Sequence, residues 1–321
     1  MANSFKFNFS ESCSNDSPED TVVSSSNNGC KGDHDDSQKG PNLKSAVLKQ
    51  HEVIPEYLKE VPYARSLEPF SSYKVDGGNG NELFYVTNQS ISNLIQRRET
   101  NKIVLSELLQ HSDLNSGVYE GGFKVWECSI DLVQFLKKSP SLLIEKDVLE
   151  LGCGAGLPGI HCLLSGSGSV CYQDFNEEVI DLFTIPNALY NSLKADGIDW
   201  STAVADIDNS FRNMMKKNSF LSGDWESCNF YFKKVTKKFD IILSSETIYN
   251  PDYYPSLHSL MCTSLNKDGF ALIASKTYYF GVGGSTKDFI DYVAERGDFK
   301  IETVMNITEG VNREILKLEW K

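Results

Sequence analysis

The segment VLELGCGAGLPGI, residues 148–160, places four glycines within eight positions directly behind a short apolar run. Glycines this dense let backbone N–H groups approach a ligand where a Cβ would stand in the way. Gly154, Gly156 and Gly159 satisfy the GxGxxG spacing of a dinucleotide loop. The same stretch satisfies an acidic-x-GxGxG spacing through Glu150, Gly152, Gly154 and Gly156, with the acid at the end of the first strand. A diphosphate favours the positive end of a helix without a carboxylate at its start. A nucleoside bearing an ammonium group, as S-adenosylmethionine does, favours the carboxylate. Both ligands call for an acid after the second strand to receive two ribose hydroxyls. Asp174, in CYQDFN and 18 residues past Gly156, stands at that place.

Other reactive side chains offer less. Cys153 lies inside the glycine loop with no histidine beside it in the chain, so it reads as a packing residue rather than a nucleophile. The eight cysteines form no CxxC pair, and the five histidines (34, 51, 111, 161 and 258) show no pairing at metal-ligand spacing. No metal is therefore expected. A formal net charge of -13 speaks against a nucleic-acid binder and suits a basic protein partner. No signal-like apolar segment opens the chain and no apolar run approaches membrane-spanning length, so an intracellular protein without membrane contact is expected.

These residues need a scaffold. Residues 1–42, with SSSNNG and DHDDSQKGP, are too poor in apolar periodicity to offset the entropy of ordering and read as a disordered tail. Residues 43–82 read as a linker touching the domain in places, and residues 83–321 as one α/β domain. Within it, LFYVTN suggests a strand and ISNLIQRRETNKIVLSELLQ has patches of helical spacing. The short apolar runs DVLEL, SVCYQDF, FDIILSS and GFALIAS alternate with helical segments, and KIETVMNI and REILKLEW close the chain as strands. The sum is an alternating α/β domain with a mostly parallel sheet, in which a ligand sits beyond the carboxyl ends of the strands. The stretch before SGDW is ambiguous: STAVADI could be the third strand with Asp206 at its end, though Asp224 is preferred as the adenine ligand.

KVWECSIDL, LELGCGAGLPGI, YQDFNEEVI, SGDWES, ILSSETIYNPDYY and ASKTYYFGVGG occur in this order. Together they resemble the histidine protein methyltransferase 1 family of S-adenosylmethionine-dependent enzymes, over roughly residues 83–321. The glycine loop is shared by many methyltransferases, whereas VWECS, SSETIYNPDYY and YFGVGG together are specific to this family. The resemblance implies a seven-strand Rossmann-like sheet, mostly parallel with an antiparallel closing strand. It implies that Val125, Trp126, Glu127, Cys128 and Ser129 line the cofactor site, with Gly152 and Gly154 at the methionyl portion beside Glu150. Gln173, Asp174 and Phe175 would meet the ribose and adenine, Gly223, Asp224 and Trp225 the adenine, and Ser245 the transferable methyl.

The resemblance further implies a protein histidine as methyl acceptor, on a large-subunit ribosomal protein and at the ring nitrogen remote from the backbone. Glu246 and Asn250 are the candidate acceptors for the ring N–H, and Tyr249 a candidate wall for the ring. The glycines and aromatics of SKTYYFGVGG suit a mobile rim gripping a peptide. A monomer is expected, in the cytoplasm and nucleus, although no compact Lys/Arg cluster marks nuclear import. The alternatives are a protein lysine methyltransferase of the same fold, whose acidic-x-x-Tyr motif Glu246 and Tyr249 also satisfy, a noncatalytic scaffold, and an NAD oxidoreductase.

Overall fold

The computed structural model describes residues 47–55, 58, 71–76, 82–87, 90–91, 114 and 117–321. The expected tail over 1–42 and nearly all of the 91–110 segment lie outside the described residues.

The apolar runs become strands because each is buried on both faces and feeds two cores by period-two alternation. In β4 (Asp147–Leu151), Val148 joins one apolar cluster while Leu149 and Leu151 join the other. The same alternation holds in β7 (Phe239–Ser245), where Ile241 and Leu243 face opposite to Ile242, and in β8 (Leu265–Lys276). The remaining strands are β1 (Lys49–Gln50), β2 (Ser71–Asp76), β3 (Glu82–Tyr85), β5 (Ser169–Asp174), β6 (Asn218–Ser222), β9 (Phe299–Ile307) and β10 (Arg313–Trp320).

Among the described residues, the main sheet has the order β1-β6-β5-β4-β7-β8-β10-β9. From β6 to β8 the strands run parallel, and β10 runs antiparallel between β8 and β9. This is the expected seven-strand arrangement with one antiparallel closing strand. The eighth strand is short: Lys49 and Gln50, from the segment read as a linker, pair antiparallel with Ser222 and Leu221. His51 secures that edge, one ring nitrogen 2.7 Å from Asp181 Oδ1 and the other 2.9 Å from Ser222 Oγ. LFYVTN does contain a strand, but β3 pairs with β2 in a separate hairpin.

Helices cover both faces. One core packs under α1 (Glu127–Leu136), α2 (Leu157–Leu164) and α3 (Ile185–Ala195). After α4 (Trp200–Ala205) and α5 (Ile207–Met215), the opposite core packs under α6 (Trp225–Val235), α7 (Tyr254–Ser264) and α8 (Thr286–Arg296). The ambiguity over STAVADI resolves here. Residues Trp200–Ala205 are helical, Asp206 caps α5 by accepting from Asn209 N, and the third strand of the parallel set is β6, immediately before Asp224. Ile207, Phe211 and Met214 are all buried, a helical spacing that a strand could not put on one face. No helix among the described residues is long and apolar enough to cross a membrane.

Candidate active site

The site begins at the glycine loop. β4 ends at Leu151, and Gly152, Gly154 and Gly156 then adopt φ values of +61°, +50° and +72°, the left-handed region that only glycine enters without strain. At Gly154 space forbids a side chain as well: an added Cβ would lie 2.9 Å from the Gly122 carbonyl oxygen. The loop is tied to β5, because Cys153 N donates to the Gln173 carbonyl (2.8 Å) and Gly154 N donates to Asp174 Oδ2 (2.9 Å). Asp174 Oδ1 accepts from Asn176 N, and burial pushes the carboxyl up to about 6.

Beyond these strand ends lies a cavity of about 270 Å³. Gly152 and Gly154 lie at the carboxyl end of β4, Asp174 and Phe175 at that of β5, and Gly223, Asp224 and Trp225 follow β6. Val125, Trp126 and Ser129, at the start of α1, line it as well, as do Ser245, Glu246 and Tyr249 at the end of β7. Asp224 caps α6 by accepting from Ser227 N at 2.7 Å, and the Trp225 ring stands edge-on to Tyr253. The Trp126 indole donates to the Gly121 carbonyl at 3.0 Å.

Five of the residues nominated from sequence do not reach this wall. Glu150 shares the Val148 face of β4 by the period-two rule, so it points under α2 and accepts from Gly159 N at 2.8 Å. Burial pushes its carboxyl up to about 8. Gln173 acts from behind: its amide donates to the Gly223 carbonyl (2.8 Å) and its oxygen accepts from Trp225 Nε1 (2.9 Å). Cys128 is fully buried, its thiol pushed up first by burial and then by the neighbouring Glu246 charge. Glu127 turns outward to Arg313, which also binds Asp131 and so fastens α1 to β10. Asn250 caps the Pro251–Tyr253 turn by accepting from Asp252 N.

Three functional candidates were missed. A second, smaller cavity shares Glu120, Trp126, Glu246 and Tyr249 with the first, and adds Leu114, Lys276 and Tyr279. Glu120 accepts from Tyr249 Oη, from Tyr253 Oη at 3.2 Å and from Gly117 N at 2.6 Å. Burial raises its carboxyl. Its only sequence signal is an acid ahead of two glycines just before VWECS. Lys276 and Tyr279 stand in the ASKTYYFGVGG segment read as a rim. That loop folds back on the site: Gly284 N donates to the Tyr249 carbonyl at 2.8 Å, and Tyr279 is buried while Tyr278 and Phe280 stay exposed.

Glu246 joins the two cavities. It holds φ at +59° although it is not glycine, the kind of backbone strain that persists where surrounding contacts over-determine it. Its amide donates to the Ala274 carbonyl at 2.9 Å and Oε2 accepts from Tyr279 Oη at 2.5 Å. Oε1 is buried without a hydrogen-bond partner, with Lys276 Nζ at 3.6 Å. The arrangement can hold a nucleoside across three strand ends and offer one carboxylate oxygen to an N–H donor entering beside Tyr249. Away from the site, His258, Cys262 and Asp298 gather, but Nδ1 faces the thiol at 3.7 Å and Nε2 the carboxylate at 3.7 Å. Opposite ring nitrogens serve the two contacts.

The chain is 42% identical over 226 residues to the histidine protein methyltransferase 1 homolog of Bos taurus, covering 68% of this chain and 60% of that one. It is 37% identical over 289 residues to the Rattus norvegicus homolog, covering 88% and 77%. To the Dictyostelium discoideum homolog it is 42% identical over 217 residues, covering 67% and 63%. The aligned length is thus about three fifths of the bovine and Dictyostelium proteins and about three quarters of the rat protein. A family model described as lysine methyltransferase matches residues 107–215.

Proposed function

The chain belongs to the histidine protein methyltransferase 1 family, and on that premise we propose that it transfers a methyl group from S-adenosylmethionine to a histidine side chain of a protein. The observation that carries the reading is Glu246: strained, buried, and presenting Oε1 without a hydrogen-bond partner where the two cavities meet.

The residues present fit the cofactor. At Gly152 an added Cβ would lie 2.7 Å from the Thr247 side chain and at Gly154 2.9 Å from the Gly122 carbonyl, so the loop leaves bare backbone facing the cavity. Gly152 and Gly154 would hold the methionyl portion, Asp174 and Phe175 the ribose and adenine, and Asp224 and Trp225 the far side of the adenine. When bound, S-adenosylmethionine supplies a methyl already activated on a sulfonium, so the protein contributes mainly position.

An imidazole with a pKa near 6.5 is roughly three-quarters neutral at pH 7, whereas a lysine amine near 10.4 is neutral about once in 2,500. A histidine acceptor therefore needs orientation more than deprotonation. Glu246 Oε1 accepts the N–H of one ring nitrogen and leaves the lone pair of the other as the nucleophile. As that nitrogen takes the methyl, the Glu246 carboxylate takes up the proton of the other ring nitrogen, so the methylated ring leaves neutral. Tyr249, its hydroxyl committed to Glu120 and kept protonated by burial, forms a wall for the ring.

Glu226 and Asp252 on the cavity wall and the net charge of -13 support a basic substrate. A large-subunit ribosomal protein, modified at the nitrogen remote from the backbone, is the finer form of the proposal. The family model's description favours a second reading, a lysine acceptor. The test is incubation with labelled S-adenosylmethionine and a ribosome-rich extract, followed by acid hydrolysis and amino-acid analysis. Label should appear in the nitrogen-remote methylhistidine. Glu246→Gln should lower turnover by roughly 10²–10³ while cofactor binding persists. Label confined to methyllysine would overturn the histidine assignment.

A further inference from the structure

The smaller cavity holds a buried cation that the methyl-transfer chemistry does not require. Lys276, at the end of β8, is 6% exposed, and its ammonium lies 3.6 Å from Glu246 Oε1, 4.9 Å over the Trp126 ring and 5.6 Å over the Tyr279 ring. Burying an ammonium is unfavourable unless a counter-charge and aromatic faces replace its water. Here Trp126 and Tyr279 supply the faces and Glu246 the counter-charge. The other carboxylate on this cavity, Glu120, is turned to Tyr249, Tyr253 and the Gly117 amide.

The arrangement sets the electrostatic character of the acceptor chamber. A neutral imidazole uses Glu246 as a hydrogen-bond acceptor and brings no charge of its own. A lysine side chain arrives as an ammonium, finds the carboxylate already ion-paired, and meets a like charge at close range. We infer that Lys276 is a specificity-determining residue, whose ammonium, paired with Glu246, admits a neutral imidazole and rejects a cationic amine. The discrimination comes from a repulsive element built against the wrong substrate. The inference rests on the histidine-acceptor reading above and assigns the selectivity of that site to one side chain.

The experiment compares the wild-type protein with Lys276→Met and Lys276→Arg in the same ribosome-rich extract with labelled S-adenosylmethionine, reading the ratio of methylhistidine to methyllysine. Lys276→Met frees the Glu246 charge for an incoming ammonium, so the ratio should fall at least tenfold. Lys276→Arg keeps the charge and should hold the ratio near the wild-type value. Merely structural damage would lower both products together and leave the ratio unmoved, and an unmoved ratio in Lys276→Met overturns the inference. A wild-type protein that labels no histidine instead overturns the reading on which it rests. A second measurement needs no variant: imidazole should raise the melting temperature of the wild-type protein saturated with S-adenosylhomocysteine, and methylammonium should not. Equal stabilisation by the two probes would also overturn the inference.

Discussion

Glu150→Gln should shift the stability of the protein in a pH-dependent way whose size follows from the burial of one carboxyl. Glu150 is 1% exposed, receives one hydrogen bond from Gly159 N, and has Oε1 without a partner. Burial, with a smaller contribution from the Asp174 charge, lifts it from the ordinary 4.5 to about 8. Between those values the folded chain keeps a proton that the unfolded chain has released, so stability is full below 4.5 and falls as pH rises toward 8. At ~1.4 kcal/mol per tenfold change, the part of that loss falling between pH 5 and 7.5 is about 3 kcal/mol. Glutamine keeps the volume and an oxygen for Gly159 but cannot titrate. Its extra N–H groups carry a desolvation penalty of ~1–3 kcal/mol that is the same at both pH values. Urea unfolding of both proteins at pH 5 and 7.5 isolates the difference. The variant's stability relative to wild type should improve by about 3 kcal/mol on going to pH 7.5. A change under about 1 kcal/mol would refute the claim that Glu150 is buried and protonated under the loop.

Two further outcomes test the cofactor side. Burial holds the Asp174 carboxyl at about 6, so lowering the pH through that value adds a proton and weakens its grip on a ribose diol. Calorimetric affinity for S-adenosylhomocysteine should fall about tenfold from pH 7.5 to 5, and Asp174→Asn should bind weakly with no such slope; an Asn variant that keeps the slope would remove Asp174 from the site. Gly154→Val places a branched Cβ at φ +50° and 2.9 Å from the Gly122 carbonyl. It should lose about 1–3 kcal/mol of stability and most cofactor affinity, and wild-type values for both would show that the loop tolerates a side chain.

Much of the fold was legible because its signals are local. Four of the five parallel-paired strands, β4, β5, β7 and β8, are short apolar runs whose alternation with helices dictates a mostly parallel sheet, and the left-handed turns of the loop require the glycines that mark it, whereas β6 carries only Phe220 and Leu221 as apolar residues. The Asp206–Asp224 ambiguity shows where local signals weaken. STAVADI is apolar enough for a strand, and only the burial of Trp200, Ile207, Phe211 and Met214 together settles that segment as helix. Glu150 shows the opposite failure. It carries the right side chain at the right spacing, yet the pleat of β4 directs it into the core.

By itself the sequence determined the mostly parallel sheet, the glycine loop after its first central strand, and the acids and aromatics at the strand ends, since all follow from periodicity and nearest-neighbour backbone geometry. Only the tertiary structure decided which of those side chains face the cavity and what stands opposite them. Glu120 meets Tyr249 across 129 residues and Tyr279 meets Glu246 across 33, while Lys276 is brought to Glu246 because β8 lies parallel beside β7. Such pairings depend on strand register and on which loops fold back over the sheet. No spacing along the chain encodes them, because burial and electrostatic complementarity arise only after distant segments pack.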